Sequence, residues 1–254
     1  MNTHHSSLIT HYSTHVHCTG TASFAASGTL MAGYAGMDSL GCTIVGAITA
    51  TGGGTIRDML LGNVPVFWMV EVEYLWLILA SVGITFVMFD KDSPKDSFLG
   101  ESGTAMYMSD SVGLGAFAVI GAQNAIRMGL PPLVCVVCGM ITATFGGVIR
   151  DVLCGRPARI IHSHAEIYGV TALAGAVCYV GMRHLQFSPA VRIFTGVMSA
   201  ACMRHWACSY NITLPLASWF KGPPQPPQKE AVLLLTPDAA TTTTTVSPPS
   251  PSLK

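Results

Sequence analysis

Displaced by 93 residues, the chain lies on itself. The segment "GAITATGGGTIRDMLLG" at 46–62 overlays "GMITATFGGVIRDVLCG" at 139–155, and twelve of the 17 positions are identical. The register runs without gaps from Phe24 over Phe117, through Gly28 over Gly121, Ala32 over Ala125 and Gly36 over Gly129, to Glu73 over Glu166. Residues 20–90 and 113–183 are therefore two copies of one unit. Any fold for this chain has to be assembled from two similar halves.

Charge decides what kind of halves they are. No Asp, Glu, Lys or Arg occurs in residues 1–37, 39–56, 74–89, 111–126, 128–149, 167–182 or 205–220. Only 10% of the chain is charged, against about a quarter in an ordinary soluble domain, and 50% is hydrophobic. Thirteen basic and thirteen acidic residues are too few to coat a soluble globule of this size. A net charge of +0 gives no footprint for nucleic acid. A spanning helix needs roughly 20 mostly apolar residues. Seven spans are predicted, at 20–37, 39–57, 72–90, 108–128, 131–152, 164–183 and 193–215. The expected fold is an all-α bundle in the lipid bilayer. Its spans are rich in Gly, Ala, Ser and Thr, which lets helix backbones approach closely.

Three spans fall in each copy, and an odd number turns the second copy over relative to the first. The expectation is a three-plus-three inverted repeat, with the seventh helix outside it. The units are then 20–90 and 113–183, with 91–112 as linker and start of the fourth helix and 184–220 as the seventh helix. The flanks read as a polar, His-rich leader at 1–19 and a Pro/Thr/Ser tail at 221–254, both expected to be disordered. The leader has no basic n-region of a signal peptide. Lys91, Lys95, Arg156, Arg159, Lys221 and Lys229 fall on one side, and Arg127, Arg183 and Arg192 on the other. The positive-inside rule then sets the N-terminus outside and the C-terminus in the cytoplasm. The membrane expected is the plasma membrane.

The repeated motif carries the chemistry. Gly52, Gly53 and Gly54 interrupt the second span, and Gly146 and Gly147 the fifth. Glycine inside a helix costs about 1 kcal/mol relative to alanine. Such clusters mark either a broken helix lining a permeation path or very close helix packing. Arg57–Asp58 and Arg150–Asp151 follow each cluster. Charges at membrane depth face the interior and pair. Adjacent helical residues diverge by about 100°, so pairing across the two-fold, Arg57 with Asp151 and Arg150 with Asp58, is expected. Glu73, Glu166 and Asp110 begin spans. They favour either a helix N-terminus or a coupling or gating role. Arg204, inside the seventh span, is expected to face the bundle or an interface.

These segments, with "GMD" at 36–38 and "DSVGLGAFAVIGAQNA" at 110–125, resemble the bacterial small membrane proteins that carry paired glycine-transporter domains. That family is related to the trimeric intracellular cation channels. The resemblance covers residues 20–215. It implies seven helices, a homotrimer, and movement of glycine or another small amino acid in one branch and of potassium-like cations in the other. It carries Gly53, Gly54, Arg57, Asp58, Gly146, Gly147, Arg150 and Asp151, with Glu73, Glu166 and Asp110, onto this chain. The chain departs from the pattern at Phe145, at Ser209 and Asn211 in the last helix, and in both flanks. Glycine transport is the leading expectation, with a monovalent cation channel as the alternative.

Other signals are weaker. The eight cysteines are scattered, and Cys135 and Cys138 lie mid-span without a second pair for zinc. His4, His5, His11, His15 and His17 belong to the expected leader, and His162 and His164 to a loop. The Asn211–Thr213 glycosylation pattern falls in a span. No cofactor is expected, and no nucleophile–base set or phosphate loop suggests an enzyme.

Overall fold

A computed structural model describes residues 2–88, 104–158, 160 and 168–210; side chains are described from residue 12 onward, apart from 104–106 and 208. Glu166, the tail at 221–254, His162, His164, Asn211 and several loop lysines and arginines of the topology argument lie outside the described residues.

Among the described residues every regular element is helical. These are α1 (Asn2–Tyr34), α2 (Ser39–Leu61), α3 (Phe67–Val70), α4 (Glu73–Met88), α5 (Thr104–Arg127), α6 (Pro132–Leu153), α7 (Tyr168–His184) and α8 (Pro189–Ser209). The centre is formed by α1 and α5 against one another, with α2 on α1, α6 on α5, and α2 on α6. Helix α4 flanks the first pair, α7 the second, and α8 packs on α7 and α5. Each half closes its second helix in the same way. Gly62 (φ 70°) and Gly155 (φ 66°) take the left-handed conformation that ends a helix. Asn63 and Arg156 then donate to the Asp58 and Asp151 carbonyls at 2.8 Å. The Phe24 and Phe117 rings meet at 5.1 Å, one from each copy.

Three expectations are corrected here. First, residues 2–19 are not a disordered leader, because α1 begins at Asn2 and runs unbroken to Tyr34. His17 explains the anchoring: its ring packs on Phe67 and Tyr74, and its Nδ1 is 2.6 Å from the Tyr74 hydroxyl. Second, a four-residue helix, α3, follows the second long helix. Third, α2 and α6 are helical straight through 52–54 and 146–147, so the second and fifth spans are not broken.

By length and hydropathy α2 and α6 qualify as membrane-crossing helices. The others fall below that combination for two reasons. Helices α4 and α7 have only 16 and 17 residues. In α1, α5 and α8 hydroxyl, amide and imidazole side chains lower the hydropathy. Many hydroxyls in this bundle nevertheless add no exposed polarity. Thr29, Thr49, Thr142 and Thr144 donate to the carbonyl one turn back, at 2.6–2.9 Å. Large apolar side chains face outward instead. Val87 is 89% exposed, Leu133 76%, Trp76 70% and Phe194 65%. That surface suits hydrocarbon.

Candidate functional site: two buried arginine centres

The glycine clusters set the site by letting α2 and α6 touch. A β-carbon on Gly53 would run into the Thr142 carbonyl, and one on Gly146 into the Thr49 carbonyl. These contacts are reciprocal, because Thr142 is Thr49 displaced by the same 93 residues. Gly54 makes room for the Phe67 ring, Gly52 for the Ile149 side chain, and Gly147 for the Tyr168 hydroxyl. At these positions the glycines serve close approach, and no carbonyl is freed by unwinding.

Beyond that contact the arginines turn inward. Arg57, Arg150 and Arg204 are 0–1% exposed, and Asp58, Asp110 and Asp151 0–3%. Arg150 is the most enclosed. Its Nη1 donates to Asp110 Oδ1 at 2.6 Å and to Ser27 Oγ at 2.5 Å. Its Nε and Nη2 lie 3.0 and 2.9 Å from Asp151 Oδ1. The other Asp110 oxygen is 2.9 Å from Arg204 Nη1. Arg204 also stacks near Tyr107 and Tyr168, at 5.1 and 4.9 Å. One network thus ties α1, α5, α6, α7 and α8.

Arg57 is held by less. Its Nη2 and Nε lie 2.8 and 2.9 Å from Asp58 Oδ1, and its guanidinium covers Phe67 at 5.6 Å. The second oxygen of Asp58 accepts from the Phe67 amide at 3.0 Å, at the start of α3. Trp68 Nε1 donates to Thr55 Oγ1 at 3.0 Å, a second tether between α3 and α2.

The expected cross-pairing is therefore wrong: each arginine bonds the aspartate next to it. Two facts explain this. An arginine side chain is long enough to swing back over the 100° step. The two centres also stand at different depths. Arg150 reaches Ser27 on α1, whereas the Arg57 centre is at His17, ten residues earlier on that helix. At 1.5 Å per residue that is roughly 15 Å. Arg57 and Arg150 lie on opposite sides of the glycine contact, not at one level.

Asp110 is not at a helix start but two turns into α5, at 0% exposure and at the centre of the larger network. Glu73 is exposed in the first turn of α4, apart from both centres. Sequence reasoning missed Ser27 and His17 as parts of the centres and the Arg204–Asp110 pair. For Arg204 and Asp110 a signal existed, since each stands beside a long uncharged run. Among the described residues no group of three His, Cys, Asp or Glu could hold a metal ion.

Known proteins share this arrangement of paired units. The glycine transporter family model matches twice, over residues 14–90 and 107–184. A UPF0126 membrane protein of Vibrio cholerae is 33% identical over 196 residues, covering 77% of this chain and 79% of that protein. The UPF0126 membrane protein YvgT of Bacillus subtilis is 37% identical over 191 residues, 74% of this chain and 90% of its own. Among solved structures, the trimeric intracellular cation channel orthologue from Rhodobacter sphaeroides superposes with a TM-score of 0.70 at 32% identity, covering 79% of this chain and 99% of that one. A structure described as the basis for conductance through such channels gives 0.69 at 30% identity, covering 80% and 96%. With matching sequence units, a matching fold and a buried ionic core, this chain belongs to the glycine transporter family of integral membrane transport proteins.

Proposed function

We propose that the protein is a monovalent cation channel, with one path per subunit of a homotrimer and the seven long helices crossing the membrane. The observation that carries this reading is charge neutrality in the core. Three buried arginines are matched by three buried aspartates. Unmatched arginines would repel a permeating cation, whereas matched ones leave Asp58, Asp110 and Asp151 to offset them. The similarity to solved cation channels at 30–32% identity supports the same choice. Glycine transport is the weaker reading. With no carbonyl freed in α2 or α6, the ammonium of a zwitterion would fall to Asp58 and Asp151, and both are already bonded to arginines. The family description and the open donor on Arg57 speak for it.

Arg57, Asp58, Arg150, Asp151 and Asp110 are assigned to the path and its gate, with the glycine contact between the two centres. Glu73 and Glu166 stand at its approaches. The plasma membrane and an N-out, C-in orientation complete the reading. Purified protein in planar bilayers under a potassium chloride gradient tests it. The expected result is single-channel current with a reversal potential near that of potassium. Absence of current, with saturable uptake of labelled glycine into proteoliposomes, would reverse the assignment.

A further inference from the structure

The two copies differ where they should be alike. Displacement by 93 residues carries Arg57 onto Arg150, His17 onto Asp110 and Ser27 onto Ile120. In the second half, Arg150 Nη1 is satisfied by the Asp110 carboxylate and the Ser27 hydroxyl. In the first half the corresponding positions are His17 and Ile120, an imidazole and a hydrocarbon. Arg57 Nη1 accordingly has no hydrogen-bond partner among the described residues, although Arg57 is only 1% exposed. His17 Nε2 is a second buried atom without a hydrogen-bond partner among the described residues. The Tyr74 hydroxyl also hydrogen-bonds the Glu71 side chain, so its proton goes to that carboxylate and His17 Nδ1–H donates to the Tyr74 oxygen, which leaves Arg57 Nη1 as the open donor. Both groups pack on the same ring, His17 at 4.8 Å and Arg57 at 5.6 Å from the centre of Phe67.

Buried donors without acceptors are costly, and a cationic one most of all. We propose that Arg57, beside His17, binds a small free monocarboxylate, which supplies from solution the group that Asp110 supplies in the second half. The aspartate side chain is a methylene and a carboxylate, so acetate is its nearest free equivalent. A carboxylate accepts from a guanidinium in the shortest and strongest class of such bonds. Phe67 is the group it displaces. That ring is half-buried on a helix of only four residues, and α3 is tied to α2 by the Asp58 and Trp68 bonds. The site rests on the surroundings of Arg57, a residue the proposed function places at the path, and the assay below reads binding without any flux.

The probe is acetate labelled with ¹³C at its carboxyl, titrated into purified full-length protein in detergent. Chloride replaces acetate at constant ionic strength as the control. Saturable line broadening is expected, with a rise in melting temperature of about 2–4 °C. His17→Asp supplies the carboxylate from within, so acetate binding should weaken at least about tenfold. His17→Gln leaves a neutral side chain and an open Arg57 donor, and should retain binding within about threefold. Broadening that does not saturate, or a melting shift that chloride matches, overturns the proposal. So does undiminished binding by His17→Asp. Should that variant fail to fold, the wild-type titration against chloride decides the matter alone. This assay contains no flux measurement, so a failed channel assay and a failed binding assay are separate results.

Discussion

In the second half, Arg150 is enclosed by Asp110, Asp151 and Ser27, and Asp110 is shared with Arg204 of α8. In the first half, Arg57 has Asp58 and the face of Phe67. The dipeptide is the same and so is the bond to the adjacent aspartate. The difference lies in what the rest of the bundle contributes. Helix α8 stands outside the repeat and reaches only the second centre. The second half is thus built as a fixed ionic core. The first is held by one carboxylate that also secures a four-residue helix. If the proposed path is bounded by both, the Arg57 side is the one equipped to move, because fewer bonds have to break there.

Asp110→Ala should break the comparison hardest. It removes the acceptor shared by Arg150 and Arg204, both at 0–1% exposure. Removing one partner of a buried ion pair costs about 3–5 kcal/mol. Arg204 loses its ion pair with Asp110 while Arg150 keeps Asp151 and Ser27, which puts this variant at the upper end of that range. His17→Ala, at the same place in the other copy, strands no charge and should cost about 1–3 kcal/mol. Thermal unfolding in detergent compares the two. Equal losses would mean that the halves do not differ as described.

Arg150→Met against Arg57→Met comes next. Losing Arg150 removes two bonds from Asp151 and leaves Asp110 with Arg204. Losing Arg57 leaves Asp58 still bonded to the Phe67 amide. We expect about 3–5 kcal/mol for both, with Arg150→Met at the upper end and Arg57→Met at the lower. In planar bilayers Arg57→Met should keep conducting, with altered open probability, and Arg150→Met should lose channels through misfolding. Arg57→Met channels gating as wild type would remove Arg57 from the gate.

Gly53→Ala and Gly146→Ala probe what the halves share. Each new methyl meets a carbonyl of the facing helix. Overpacking of this kind costs about 1–3 kcal/mol, and the two values should agree within about 0.5 kcal/mol if the contact is symmetric. A cost for one variant alone would mean that the helices cross unevenly.

Much of this was legible in the residues, and the misreadings have definite causes. The repeat and the uncharged runs gave the helical elements, because charge cannot be scattered through a bundle's buried faces. Gly53 and Gly146 could be read two ways from sequence, since glycine serves both unwinding and close approach. Only the position of the Thr142 and Thr49 carbonyls decides between them. The Arg57–Asp151 pairing failed because register on one helix does not report how deep the facing helix sits. His17 was grouped with a polar leader by composition. Its packing on Phe67 and Tyr74 depends on α3, whose four residues are too few to leave a periodic signal.

The smallest effect concerns that short helix and is the most specific to the first half. Trp68→Phe keeps the aromatic bulk and deletes the Nε1 donor to Thr55 Oγ1. A neutral hydrogen bond of this kind contributes about 0.5–1.5 kcal/mol. The loss should fall on α3 and not on the bundle, because Trp68 is only part-buried and the Asp58 bond to the Phe67 amide remains. Amide hydrogen exchange over residues 66–70 should therefore quicken by about 2- to 10-fold. Exchange in α6, at the Arg150 centre, should be unchanged. Were exchange to quicken equally in α2 and α6, α3 would be a structural part of the whole core. Were it unchanged at 66–70, the Asp58 bond alone would secure the helix, and the Arg57 side would be no looser than the Arg150 side.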